Sequence, residues 1–342
     1  MRLLVLGGTH HVGRAVVEAG LGRGDQVTTL NRGVSRAPER GTEALVADRT
    51  DPDAVRAALA GREWDVVVDT WAKAPRVVRD SARLLADRAG HYVYVSSRGV
   101  HQWPWPSGAD ESAPLVDGDP ASDDDTDYAA AKRGGELAVL ESFPDRALLA
   151  RAGGILGPYE DVGRMPWWLR RVERGGRVLA PGPSDRPLQF IDARDMAIWM
   201  LDAAERGLTG PFTVCSWPGH TTTGELLQAA VDVTGSGAEL VWAPPELLEE
   251  TGVGLGMELG LRFPGVPAPS GIHDADVSAA HAAGLRCRPI RETIADTWDW
   301  IQAEGDPAPL PDTPPPSTWL DPADEQRVLA LLDERSGKAT SP

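Results

Sequence analysis

The chain opens MRLLVLGGTHHVGRAVVEAG (residues 1–20), an apolar run at Leu3–Leu6 that breaks into Gly7-Gly8-Thr9-His10-His11-Val12-Gly13 and passes into a helical pattern over Val12–Gly20. Strand, glycine turn and helix in that order make a phosphate cradle. One glycine permits a tight turn and another the close approach of a pyrophosphate, while the amides and dipole of the helix N-terminus attract the anion. A dinucleotide site is therefore expected around Gly7, Thr9, His10, His11, Val12 and Gly13. Glycines that merely mark a turn are the alternative, and their place directly after a first strand argues against it. Residues 1–8 hold too short an apolar stretch for a signal-peptide core and read as that strand.

Outward from this turn, short apolar or β-branched runs recur at Val27–Leu30, Ala44–Ala47, Val66–Val68, Tyr92–Val95 and Ala147–Ala150. Uninterrupted apolar runs are what strands covered on both faces require. Between them lie helical patterns at Pro52–Ala60, with proline at the start, and at Val77–Ala89, with Gly90 as a stop signal. The alternation predicts an α/β fold, a doubly wound parallel sheet of the Rossmann type with a smaller C-terminal substrate-binding lobe. Leu188–Met200 and then Pro211–Cys215 read as strand, helix and strand returning to the same sheet. The expected division gives residues 1–158 and about 188–236 to the cofactor domain. Residues 159–187 and 237–305, richer in Trp, Pro and Gly and without a regular βα rhythm, go to the substrate lobe. Residues 306–342 form a proline-dense linker at Asp306–Ser317, a polar helix near Pro322–Glu334 and a tail.

Composition removes several functions. The 342 residues are 42% hydrophobic and 25% charged, as in ordinary globular proteins. No apolar run approaches the roughly 20 residues that span a bilayer. A net charge of −17 with scattered Lys and Arg would repel phosphate backbones, so no nucleic-acid partner is expected. Cys215 and Cys287 stand far apart with no zinc-type spacing, so neither a disulfide framework nor a metal site is expected, and a cytoplasmic location fits. Asp123-Asp124-Asp125 reads as a solvated loop or helix-start charge.

The chemistry concentrates in Ser96-Ser97, at the end of the fifth strand, and in Tyr128-Ala129-Ala130-Ala131-Lys132. A spacing of four on a helix stacks phenol and amine on one face, where an ammonium favours the ionised phenol. General acid/base work requires a group poised in this way. A lone Tyr–Lys pair is common; joined to the glycine turn and to a serine where such sheets bind ligands, it is far more specific. For the cofactor, Asn31-Arg32-Gly33 follows the second strand, where an NAD site normally has a carboxylate. Neutral Asn31 and the guanidinium of Arg32 suit a 2′-phosphate, so NADP(H) is preferred, with NAD(H) the alternative. Trp103, Trp105, Trp167 and Trp168 are candidates for an aromatic pocket wall, against ordinary core packing.

These motifs together resemble the extended or atypical short-chain dehydrogenase/reductase superfamily, of the NAD-dependent epimerase/dehydratase-like kind. The turn is similar to GGTGFIG with His10 in place of the middle glycine, and Tyr92–Ser97 to the strand of YVSSxxVYG. Arg151–Pro158 and Phe190–Asp195 look like RPxNVYGP and FIHVDD. The resemblance implies that Ser97 bonds the substrate oxygen, Tyr128 exchanges its proton, Lys132 holds the cofactor ribose, Asp48 lies by the adenine, and two helices form a homodimer interface. It also implies an Asn and an Arg reaching a sugar nucleotide in epimerases and dehydratases, places held here by Gly154 and Leu188. The expected activity is hydride transfer at a secondary alcohol or ketone of a small polar, sugar-like or natural-product substrate. An epimerase or dehydratase that keeps its nicotinamide cofactor, and a non-catalytic NADP-binding regulator, are the alternatives.

Overall fold

A computed structural model of the chain describes residues 1–34, 37–253, 271–305 and 320–339. The expected linker, Asp306–Ser317, lies outside them. The elements run β1 (Arg2–Leu6), α1 (His11–Gly22), β2 (Gln26–Asn31), β3 (Glu43–Val46), α2 (Pro52–Ala58), β4 (Trp64–Asp69), α3 (Pro75–Leu85), β5 (Ala89–Ser97), α4 (Tyr128–Ser142) and β6 (Ala147–Ala152). They continue with β7 (Gly154–Leu156), α5 (Arg164–Glu173), β8 (Arg177–Pro181), β9 (Pro187–Leu188), β10 (Phe190–Asp192), α6 (Ala193–Glu205) and β11 (Gly210–Val214). Last come β12 (Thr221–Thr222), α7 (Thr223–Thr234), β13 (Glu239–Ala243), α8 (Pro245–Thr251), α9 (Ser278–Ala282), α10 (Ile290–Glu304) and α11 (Pro322–Ala339).

Seven strands form one sheet in the order β11-β6-β5-β4-β1-β2-β3, parallel throughout. The fold is the expected doubly wound sheet. Alternate strand residues feed two buried layers, as a period of two demands. Leu3, Val5, Val66, Val68, Val93 and Val95 pack with α1 and α6. Leu4, Leu6, Val67, Tyr92 and Tyr94 face α2, α3 and α4. The order reverses between β1 and β4, the switch point beyond whose strand ends such sheets bind ligands.

The chain divides into two compact units, 1–155 with 190–216 and 275–287, and 156–189 with 217–274 and 288–342. This differs from the composition-based division at 156–158, 188–189, 217–236, 275–287 and the C-terminal residues. Two readings need correction. Gly90 does not stop α3, which ends at Leu85; it lies inside β5, where a β-carbon would come within 2.8 Å of the Asp65 carbonyl oxygen. Residues 188–192 do not return to the main sheet, because β9 pairs with β12 and β10 with β7, and only β11 rejoins it.

The second unit has its own parallel pair, β8 with β13, whose short and distant strands left no rhythm in the sequence. The expected polar helix is α11. It is tied down by the buried pair Arg171–Glu325 at 2.7 Å, and Glu325 also accepts from the Leu179 amide at 3.0 Å.

Candidate active site

At the end of β1, Gly7 and Gly8 adopt φ of +121° and +111°, conformations that favour glycine. A β-carbon on Gly7 would strike the Thr70 side chain, which follows β4, and one on Gly13 would lie 2.6 Å from the Gly8 amide nitrogen. The turn is thus folded onto α1 as closely as backbone allows, the geometry a pyrophosphate cradle requires. His10 precedes α1 with φ −132° and ψ 150°, ordinary extended backbone, so a side chain is tolerated where related turns carry glycine. No side chain caps α1, whose N-terminal dipole favours an anion. His11, at φ +25°, and Val12 are buried. These residues fit a dinucleotide.

Beyond β2, Thr9, Asn31, Gly33, Val34 and Val46 line a cavity of about 400 Å³. Arg32 is exposed. The exposed Asp48 accepts from the amide and hydroxyl of Thr50, at 2.9 and 2.8 Å, and these bonds, then the charge of Arg32, hold its carboxyl below the usual range.

Helix α4 carries Tyr128 and Lys132, the expected acid/base pair. Asp127 caps it by accepting from the Ala130 amide at 3.0 Å, which makes Tyr128 its first residue. Tyr128, Lys132 and Glu136 follow at four-residue spacing on one face. Glu136, fully buried, anchors the row to the sheet: it accepts from Ser96 Oγ at 2.7 Å and from Arg151 Nε and Nη2 at 2.8 and 3.0 Å, with Arg133 at 3.0 Å. Ser96 is therefore a structural partner of α4, and Ser97 points from the other side of the pleat. Ser97 Oγ accepts from the Gly99 amide at 3.0 Å. A β-carbon on Gly99 would lie 3.2 Å from Ser97 Oγ and 3.7 Å from the Tyr128 ring, so hydroxyl and phenol ring converge on one point. Tyr128 is 51% exposed and Lys132 only 2%.

Lys132 Nζ donates to the main-chain carbonyls of Trp71 and Val95, each at 2.7 Å, and lies 4.9 Å above the Tyr94 ring. Burial pushes the ammonium down to about 7, against the opposing charges of Asp69 and Glu136. Sequence reasoning missed the group behind it. Asp69, fully buried at the end of β4, receives Arg49 through both Nη atoms at 2.6 and 2.8 Å, the Tyr92 hydroxyl at 2.7 Å and the Trp71 amide at 2.9 Å. The available signal was a carboxylate closing the apolar run Val66-Val67-Val68.

Of the tryptophans, Trp103 is 47% exposed and meets Trp105 edge-on at 5.2 Å. The buried Arg98, next to Ser97, stacks 5.0 Å from Trp105. Trp167 and Trp168 belong to the second unit, where Trp168 is interior at 1% exposure. Asp123 pairs with Arg76 and Asp124 with Thr126, both at the surface. Among the described residues no group of three or more His, Cys, Asp or Glu could hold a metal ion, and no helix is long and apolar enough to cross a membrane.

Comparison with known proteins identifies the family and the fold. The model of the NAD dependent epimerase/dehydratase family matches residues 3–214. A curated relative, the 3-diazoavenalumate denitrifying reductase of a Streptomyces species, is 34% identical over 232 residues, 61% of this chain and 74% of the relative. Among solved structures, UDP-glucose 4-epimerase of Thermus thermophilus, complexed with NAD, matches with TM-score 0.64 at 21% identity, over 89% of this chain and 100% of that one. The Bordetella bronchiseptica enzyme WbmH, in complex with NAD+, matches with TM-score 0.67 at 18% identity over 89% and 99%. At such identities the likeness is one of fold.

Proposed function

The chain belongs to the NAD dependent epimerase/dehydratase family, and from that premise we propose that it is an NADPH-dependent reductase of small polar or natural-product substrates. The observation that carries this is the meeting of Ser97 Oγ and the Tyr128 ring at Gly99, one helical turn from Lys132. Gly7, Gly8 and Gly13 would cradle the pyrophosphate of the dinucleotide, whose nicotinamide would supply the hydride when bound. Ser97 accepts from Gly99 and keeps its own O–H to donate to the substrate oxygen. Tyr128, half-exposed, gives the proton. Lys132 spends two N–H bonds on carbonyls and keeps the third for the cofactor ribose and the phenol.

Net reduction is favoured over epimerisation with retained cofactor by two residues and one relative. Leu188 is fully buried and Gly154 has no side chain, so neither offers the polar group that holds a nucleotide sugar in the epimerases. The 34% identical relative is named as a reductase, of a diazo compound. NADPH is favoured over NADH by Asn31 and Arg32, which stand where a 2′-phosphate would need neutrality and positive charge. Val34 and Val46, each 68% exposed beside the cavity, offer apolar surface to the adenine.

The test incubates the protein with 4-deuterated NADPH and a panel of ketones, aldehydes and diazo arenes. Expected are stoichiometric loss of NADPH and deuterium in the product. Turnover without net cofactor change would instead mark an epimerase or dehydratase, and binding without turnover across the panel would overturn the reading.

A further inference from the structure

The pair Arg49–Asp69 is unusual for its surroundings. It sits within the layer built from Leu4, Leu6, Val67, Tyr92 and Tyr94, where two apolar side chains of similar volume would serve folding as well or better. Its carboxylate is nonetheless fully bonded, although Arg49 Nε, buried in the same layer, has no hydrogen-bond partner. The two Asp69 oxygens receive four donors, which matches the capacity of a carboxylate. Arg49 Nη2 also donates to Ser81 Oγ at 3.0 Å, and Ser81 Oγ in turn to the Val77 carbonyl at 2.9 Å.

What this clamp holds is Trp71. The Trp71 amide donates to Asp69, the indole Nε1 donates to the Ala74 carbonyl at 3.0 Å, and the Arg49 guanidinium lies 5.1 Å from the ring. The residue is thus fixed through its main chain and through its side chain. Its carbonyl then accepts from Lys132 at 2.7 Å and from the Tyr94 hydroxyl at 3.1 Å. An ammonium has three tetrahedral N–H bonds, so with two directed at the Trp71 and Val95 carbonyls the direction of the third is set.

We propose that Asp69 is a positioning residue for Lys132: clamped by Arg49 and Tyr92, it fixes Trp71, whose carbonyl aims the ammonium. The kinetic part rests on the reductase reading; the structural part does not. The charged and titratable groups facing Lys132 are Asp69 on β4, Tyr94 on β5, Tyr128 and Glu136 on α4, and Arg49 ahead of α2. Burial keeps Tyr94 neutral, its hydroxyl held well above the ordinary value, so it acts through its ring and its bond to Trp71.

The sequence contains three lysines, Lys73, Lys132 and Lys338, so selective 13Cε and 15Nζ labelling of the full chain reads Lys132 directly. Lys73→Arg and Lys338→Arg assign the signals. In the wild type, Lys132 titrates near neutrality with its ε-protons in nuclear Overhauser contact with Tyr94 and Trp71; absence of those contacts overturns the proposal whatever the variants do. Asp69→Asn lowers the midpoint by at least about half a pH unit and leaves the other two lysines unmoved. Should that variant not fold, Arg49→Met/Asp69→Asn removes both charges together. Asp69 acts on Lys132 more strongly than Arg49 does, so the midpoint falls again, by less. A midpoint at or above that of the wild type in either folded variant overturns the proposal. Where NADPH turnover is measured, the folded variant loses roughly tenfold in kcat, with a rise in cofactor KM as the ribose contact weakens, and an unchanged kcat overturns it. If the wild type turns over no substrate, the reductase reading fails and the titration alone decides.

Discussion

Lys132 is the residue at which fold stability meets the proposed chemistry. Its amine titrates near 7 in the folded protein, against 10.5 for the free side chain. Between those values the unfolded chain binds the extra proton, so stability rises with pH across that window and the penalty is fully present below about 7. Urea unfolding of wild type and Lys132→Met at pH 6, 8 and 10 should therefore show the wild type gaining on the variant as pH rises; a constant difference would mean that the ammonium is not penalised by burial. Arg32 makes a different prediction. Arg32→Ala should raise the dissociation constant for NADPH roughly tenfold, the value of one charge-assisted hydrogen bond, and leave NADH nearly unchanged. Equal losses for both cofactors would remove Arg32 from the 2′-phosphate site. The place of Arg32 at the exposed end of β2 could be read from the chain because it depends on neighbours in sequence. Asp69 could not, because Arg49 and Tyr92 reach it from separate elements.

At the scale of elements, α4 shows how a helix is fitted to its site. Gly134 and Gly135 each weaken a helix by about 1 kcal/mol relative to alanine, yet both are required by close packing. A β-carbon on Gly134 would lie 2.7 Å from Pro75 and from the Asp119 carbonyl oxygen, and one on Gly135 would lie 2.6 Å from Tyr94 Cζ. Gly135→Ala should therefore destabilise by about 1–3 kcal/mol despite its better propensity, and should lower turnover by shifting Tyr128 and Lys132. Thermal melts and initial rates check both. A stabilised, fully active variant would show that α4 is not held against Tyr94. The strands of the parallel sheet, α1 and the Tyr–Lys helix were all legible, because apolar runs and a spacing of four are local signals. Gly90 was misread as a helix stop since its meaning comes from the Asp65 carbonyl of the adjacent strand. Likewise β10 follows a hydrophobic pattern that says nothing of pairing with β7.

Across the whole molecule, the cofactor-binding unit was readable from its βα rhythm, and the second unit much less so. Its parallel strands β8 and β13 are short and far apart, and its C-terminal helix is secured by Arg171–Glu325, a pair separated by most of the unit. Glu325→Gln leaves a buried guanidinium without its carboxylate and should cost about 3–5 kcal/mol. Hydrogen exchange at the β8 amides would register this, and unchanged protection would contradict it. The acidic composition argued against a nucleic-acid partner and pointed to no substrate, whereas the strand-end hydroxyl, the phenol and the amine pointed to a reaction. The most direct test of that reaction is the single-turnover rate of hydride transfer from NADPH in Tyr128→Phe, with NADPH affinity measured alongside. The account predicts a fall of roughly 10²- to 10⁴-fold at nearly constant affinity; a variant as fast as the wild type would contradict it.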